Sequence, residues 1–177
     1  MGCHKDYFGD GKNFGISAHY SVEESPLGRG GATKIGFDKV PGTENTVVVL
    51  NGDTLTAESL KNLSDFHQER REANGLHLAT VMVVPMTSPY GLVDIDESGA
   101  VTGFREKVVM DYWVNAGIYI FDRKIVALLP NLGDHETETF PHLAQAGQLA
   151  ALKSSRRWSA VDFLKDVQEA EERFGNL

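Results

Sequence analysis

Cysteine is almost absent: Cys3 is the only one in 177 residues. A single thiol excludes an intramolecular disulfide and any cysteine-rich zinc site, and it makes a reducing, cytoplasmic setting the default. Long apolar runs are missing too. No stretch approaches the roughly 20 residues that a membrane helix needs, and the N-terminal MGCHKDYFGDG has no apolar segment of a signal peptide. Met1-Gly2 lacks the Ser or Thr at position 6 that N-myristoylation reads, Asp6 standing there instead. Positive charge is scarce: 17 Lys and Arg against 25 Asp and Glu leave a formal net charge of -8. That balance argues against a nucleic-acid backbone or an anionic membrane as the main partner, although a local basic pocket or a metal can still admit a nucleotide. His4, His19, His67, His77, His135 and His142 are scattered without metal-ligand spacing, and no repeat, linker or low-complexity segment interrupts the chain.

What is present is an ordinary globular composition, 41% hydrophobic and 24% charged, in a chain long enough for one domain, 1–177, with a real core. The organising stretch is Thr46-Val47-Val48-Val49-Leu50-Asn51-Gly52-Asp53. Its five β-prone residues do not alternate, which predicts a strand buried on both faces, as inside a parallel, helix-covered sheet. The run stops on Asn-Gly-Asp, and Asp53 falls at the carboxyl end of the strand, where open α/β sheets place their ligands. A carboxylate there can hold a hard cation such as Mg2+; a turn with an Asp helix cap is the plainer reading of the same residues.

Along the rest of the chain, residues 1–8 read as the tail of a helix and Phe8–Gly15 as a loop dense in turn residues. Ile16–Tyr20 alternates as a short strand, and a glycine-rich turn leads into a helix from about Ala32 to Val40. A helix is predicted over Ala57–Asn74 with Thr56 as N-cap, then a strand over Leu76–Val84 ended by Pro85. Gly91–Asp96 and Ala100–Glu106 form a hairpin about Glu97-Ser98-Gly99. Tyr112–Phe121 is the next strand, Asp122–Leu129 a short helix, Glu136–Ala146 a helix, Gln148–Lys153 and Trp158–Val161 strands, and Phe163–Phe174 the last helix. The alternation of β and α units predicts an α/β fold built on a mostly parallel sheet with an inserted β-hairpin.

Seven short motifs occur in order: Tyr7-Phe8-Gly9-Asp10-Gly11, Glu23-Glu24-Ser25-Pro26-Leu27-Gly28-Arg29-Gly30-Gly31-Ala32, Leu50-Asn51-Gly52-Asp53, Tyr90-Gly91, Phe104-Arg105-Glu106-Lys107, Asn115-Ala116-Gly117-Ile118-Tyr119, and Trp158 with Asp162. Together they resemble the sugar-1-phosphate nucleotidylyltransferases, in the flavour of mannose-1-phosphate or heptose-1-phosphate guanylyltransferases. The resemblance implies a Rossmann-like fold and Mg2+-dependent transfer of a nucleotidyl group from a nucleoside triphosphate to a sugar 1-phosphate, with release of pyrophosphate. By that resemblance Asp53 and Asp162 are the two metal-binding aspartates. Lys107 contacts the sugar phosphate, Glu106 and Asn115 the sugar hydroxyls, and Gly91 lends a backbone contact. Leu27, Gly28 and Gly30 lie against the nucleoside. Glu23 stands where the family meets the base; a carboxylate only accepts hydrogen bonds, which suits the N1–H and amino group of guanine and favours GTP.

The chain departs from the family pattern in three places. The glycine-rich loop that carries an arginine, with its downstream Pro-Lys, has no counterpart here; the resemblance implies two βα units, on the order of 60 residues, ahead of Tyr7. Lacking that loop, the chain is expected to turn over weakly or not at all, and a non-catalytic sugar-phosphate-binding relative or an inactive fragment is the alternative. An unpaired sheet edge is also expected, for which a second copy of the chain is a candidate cover. Arg29 replaces the usual threonine, and Val108 the proline that often follows Glu-Lys.

Overall fold

The computed structural model describes residues 3–175. Met1-Gly2, read above for an acylation signal, lie outside the described residues, as does the side chain of Cys3. Among the described residues there are five α-helices: α1 (Cys3–Phe8), α2 (Gly28–Gly36), α3 (Leu60–Ala73), α4 (His135–Gln145) and α5 (Leu164–Phe174). The strands are β1 (Thr46–Leu50), β2 (Thr54–Thr56), β3 (Ala79–Thr87), β4 (Leu92–Ile95), β5 (Val101–Arg105), β6 (Val109–Asp122), β7 (Leu149–Lys153) and β8 (Trp158–Ala160). The main sheet runs β1-β6-β3-β7, and β2-β8 and β4-β5 form two-stranded ribbons. Among the described residues no helix is long and apolar enough to cross a membrane.

Backbone contacts divide the chain into two compact units. The first comprises residues 1–47, 76–79 and 121–149, the second 48–75, 80–120 and 150–177. In the first, Phe121, His135 and Phe140 pack ring on ring, with centroids 5.0 to 6.0 Å apart. Phe37, Ile125, Leu129 and Leu143 are buried in the same unit. Lys34 closes one end of this unit by donating from Nζ to the Leu129 carbonyl at 2.8 Å.

In the second unit Leu63 of α3 packs with Met82 and Val84 of β3 and Ala116, Ile118 and Ile120 of β6. Leu63 is 0% exposed. His67, one helical turn beyond Leu63 on the same face, is buried and hydrogen-bonded through Nδ1 to Thr80 Oγ1 at 2.9 Å. A histidine on an apolar face is here a core residue tied to a β-strand hydroxyl.

Several sequence expectations are corrected. β1 is an edge strand, and Val48 and Leu50 on one of its faces are 44% and 53% exposed, so the non-alternating TVVVL run is not buried on both sides. Residues 16–20 form no strand: Ala18 N–H turns back to Asp10 O at 2.9 Å and Tyr20 Oη donates to Gly9 O, which folds the segment onto the preceding loop. α2 begins at Gly28, not near Ala32. β3 runs through Pro85. Val83 O still accepts from Ser154 N–H at 2.9 Å, just beyond β7; Pro85 points the same way two residues on, where no strand asks it for an N–H. Ser59, not Thr56, is the N-cap of α3, because Thr56 Oγ1 is taken up by Glu58 N–H at 3.0 Å.

Two outcomes follow from this packing. Leu63→Ala should lower the unfolding free energy by about 2–5 kcal/mol, read as a shift of the urea midpoint. Burial holds the His135 imidazole below its ordinary pKa, against the opposing pull of the Glu136 and Asp134 carboxylates, with the Arg29 charge adding to the depression. A depressed histidine favours folding fully above the unfolded value near 6.5 and loses that advantage as pH falls below it. The urea midpoint should therefore drop on acidification from pH 7 toward pH 5, and His135→Gln should flatten that slope.

Candidate functional site

In the second unit the Asn51-Gly52-Asp53 turn is fastened to β6 and β8. Asn51 N–H donates to Gly117 O at 2.8 Å, and Thr54 N–H to Asn51 O at 3.3 Å. β2 pairs antiparallel with β8, Thr54 facing Ala160, and Val161 N–H extends the ladder to Asp53 O at 2.8 Å. Asp53 therefore lies opposite Val161, with Asp162 the next residue along, so the ribbon brings the two aspartates to one end. Both are exposed.

The N-terminus of α5 leaves the Asp162 carboxylate out of its cap. Asp166 Oδ2 accepts from the backbone N–H of Asp162 at 3.0 Å and of Phe163 at 2.8 Å, and Phe163 is the N-cap residue. An acidic residue three positions into the helix is the familiar capping signal, and Asp166 carries it in the sequence.

Gly117 explains the Asn115-Ala116-Gly117 motif. It has φ +72 within β6, and a Cβ there would stand 2.5 Å from Asn51 Nδ2 and 3.1 Å from Thr54 Oγ1. Only glycine combines that dihedral with so close a neighbour. Asn115 Oδ1 accepts from Gly117 N–H at 2.9 Å, while its Nδ2 donates to Tyr119 Oη at 2.8 Å. Trp158 Nε1 donates to Ala116 O at 2.9 Å, which ties β8 to the same turn of β6.

Gly91, Glu106 and Lys107 gather at the base of the β4-β5 hairpin. A Cβ on Gly91 would sit 2.8 Å from Glu106 Oε1, so the two are neighbours across the ribbon. Lys107 has φ 52, the one non-glycine residue in the left-handed region among those described. It is held there from both sides. Arg105 is paired to Leu92, and Val108 O accepts from Ser88 N–H at 2.9 Å, with Ser88 Oγ donating to Tyr90 O at 2.7 Å. Left-handed lysine is an unfavourable conformation that persists where its surroundings over-determine it, and such residues cluster at functional sites.

The predicted nucleoside residues lie in the first unit. Glu23 is half-buried and accepts from Leu27 N–H through Oε2 at 2.7 Å, closing a turn around Pro26. Beside it is a cavity of about 440 Å³ lined by His4, Lys5, Tyr20, Val22, Glu23 and Pro26 among others. Gly28 and Gly30 approach another part of the chain: a Cβ on Gly28 would be 2.6 Å from Gly133 O, and one on Gly30 2.6 Å from Pro130 Cγ. The first amides of α2 are also taken. Arg29 N–H donates to Asp134 Oδ1 at 2.8 Å, and Gly30 and Gly31 N–H to Gly133 O at 2.9 and 3.3 Å. Arg29, where the family has threonine, adds ion pairs to Asp134 at 3.3 Å and Glu136 at 3.0 Å, and holds the Asp134 carboxyl below its usual range.

Two exposed carboxylates at one ribbon end suit a hard cation that keeps waters and phosphate oxygens in its remaining positions. No cluster of three or more His, Cys, Asp and Glu placed to hold a metal occurs among the described residues.

The fold is a mixed α/β one built on a central four-stranded sheet. The nucleotidyl transferase family model matches residues 3–174, and the chain belongs to that family. It is 35% identical over 148 residues to mannose-1-phosphate guanylyltransferase of Mycobacterium tuberculosis, covering 79% of this chain and 39% of that protein. It is 32% identical over 160 residues to mannose-1-phosphate guanyltransferase of Candida albicans, covering 88% and 43%. The chain thus spans less than half the length of these curated relatives. Among solved structures, HddC from Yersinia pseudotuberculosis complexed with GMP-PN shares the fold with a TM-score of 0.66 at 21% identity, over 97% of this chain and 75% of that one.

The strain at Lys107 gives a direct test. Lys107→Gly removes the left-handed penalty, offset in part by the freedom glycine gains on unfolding, and should leave stability unchanged or raise it by up to about 1 kcal/mol in urea titration. Lys107→Val should lower it by at least as much.

Proposed function

We propose that this chain serves nucleotidyl transfer from a nucleoside triphosphate, GTP by preference, to a sugar 1-phosphate, giving a nucleoside diphosphate sugar and pyrophosphate. The observation behind the reading is the 2.8 Å bond from Val161 N–H to Asp53 O, which brings the backbone of Asp53 and that of Asp162 to one end of the ribbon.

In this reading a phosphate oxygen of the sugar 1-phosphate attacks the α-phosphorus of the triphosphate. A new P–O bond forms as the bond from the α-phosphorus to the α,β-bridging oxygen breaks, and pyrophosphate leaves with the electron pair. Asp53 and Asp162 would hold Mg2+, which when bound neutralises the phosphate charges brought together. Lys107 binds the sugar phosphate as a compact cation, and its fixed backbone conformation aims the side chain before substrate arrives. Glu106 and Asn115 accept and position sugar hydroxyls beside the backbone of Gly91.

On the nucleoside side, Glu23 meets the base next to the Leu27, Gly28 and Gly30 segment. Its Oε2 is already engaged by Leu27 N–H, so the base is read through Oε1. A second reading is that the chain binds sugar phosphate without turnover.

Incubation with GTP, mannose 1-phosphate and Mg2+, followed by pyrophosphate release, separates the two. Turnover that falls about 100-fold or more in Asp53→Ala and Asp162→Ala is the expected result. Sugar-phosphate binding with no pyrophosphate release in the unsubstituted chain selects the second reading. Absence of both binding and release rejects the assignment.

A further inference from the structure

Asparagine is followed by glycine at two places, Asn51-Gly52 and Asn74-Gly75. In such a pair the main chain can attack its own side chain, because a glycine nitrogen, with no Cβ beside it, closes easily into a five-membered ring on the asparagine amide. The fold treats the two pairs differently.

Asn51 is held fast. Its N–H donates to Gly117 O at 2.8 Å, and its carbonyl, part of the peptide that ring closure must turn, accepts from Thr54 N–H at 3.3 Å. Its half-buried side chain lies against β6, where a Cβ on Gly117 would stand 2.5 Å from Nδ2. Asn74 follows the last residue of α3 in an extended conformation, φ -140 and ψ 98. Its N–H bond to Arg70 O, at 2.8 Å, lies on the helix side of Cα and not on the peptide that joins it to Gly75. Asn74, Gly75 and Leu76 are exposed, and a Cβ on Gly75 would meet nothing within 4 Å. That open space lets the Asn74-Gly75 peptide rotate until Gly75 N reaches Asn74 Cγ.

We infer that Asn74 is a site of spontaneous covalent modification, a deamidation that the fold withholds from Asn51. Gly75 N gives up its proton to solvent base and attacks Asn74 Cγ. The ring N–C bond forms, the bond from Cγ to the side-chain nitrogen breaks, and ammonia leaves with that electron pair and a proton from water. Water then opens the ring. Cleavage at Cγ leaves aspartate, and cleavage at the main-chain carbonyl leaves isoaspartate, with the chain routed through Cβ and Cγ. No oxidant or cofactor enters. Either product adds a negative charge to a chain already at -8 and places it at the carbonyl end of α3, where the helix dipole disfavours an anion. Isoaspartate also lengthens the main chain between α3 and β3.

Incubation of the full chain at about pH 8, where base assists loss of the Gly75 proton, followed by tryptic peptide mapping with fragmentation, tests this. The residue at position 74 should gain about 1 Da, the exchange of NH2 for OH, about tenfold or more faster than the residue at position 51. In urea, with the fold removed, the two sites should react within about threefold of each other. Asn74→Gln should abolish the gain in its peptide, and Gly75→Ala should slow it. Equal rates at the two sites in the folded chain, or a faster rate at Asn51, overturn the inference. So does an Asn74 that keeps its mass in the folded chain.

Discussion

A main-chain hydrogen bond between residues far apart in sequence, Val161 N–H to Asp53 O, decides what the acidic end of the second unit can do. It continues the β2-β8 ladder by one step and fixes the register at which Asp53 and Asp162 arrive. Because side chains alternate with period two, Asp53 shares a face with Val161, and a slip of one residue would exchange the faces of β8 against β2. The register is secured from outside the ribbon as well. Trp158 reaches the Ala116 carbonyl, and Asn51 reaches that of Gly117, so β8 and the Asn-Gly-Asp turn are both anchored on one turn of β6.

The same economy appears at Gly117 and Lys107, two left-handed residues of opposite character. Gly117 is left-handed at little conformational cost and admits Asn51 to within a distance no Cβ would allow. Lys107 adopts the conformation against its preference, pinned by the Arg105–Leu92 pair and by the Ser88–Val108 bond. One position uses the freedom of glycine for packing. The other holds a lysine in a conformation that glycine would adopt more easily.

Much of the fold was legible because its elements state themselves locally. The hairpin announced itself through Asp96 to Gly99, and Asp96 Oδ1 does accept from Ser98 N–H and Ala100 N–H at 2.9 Å each. The Leu63 face of α3 followed from helical spacing. Asp53 and Asp162 were singled out by motif order, not by periodicity. Edge position was not legible: nothing in Thr46–Leu50 says which neighbour is missing, so a run of Val and Leu reads as doubly buried when one face is open. The glycines of α2 misled for a related reason. Gly28, Gly30 and Gly31 look like loop residues, but their lack of Cβ serves close approach to Pro130 and Gly133, a partner about a hundred positions away that no local window contains.

That close approach also bears on Arg29. A threonine could give α2 a hydroxyl, whereas arginine reaches Asp134 and Glu136 and locks the start of the helix against the 130–136 segment. With Asp134 accepting from Arg29 N–H and Gly133 O from the next two amides, the positive end of the helix dipole is satisfied by the chain itself. A helix start so occupied is a structural joint.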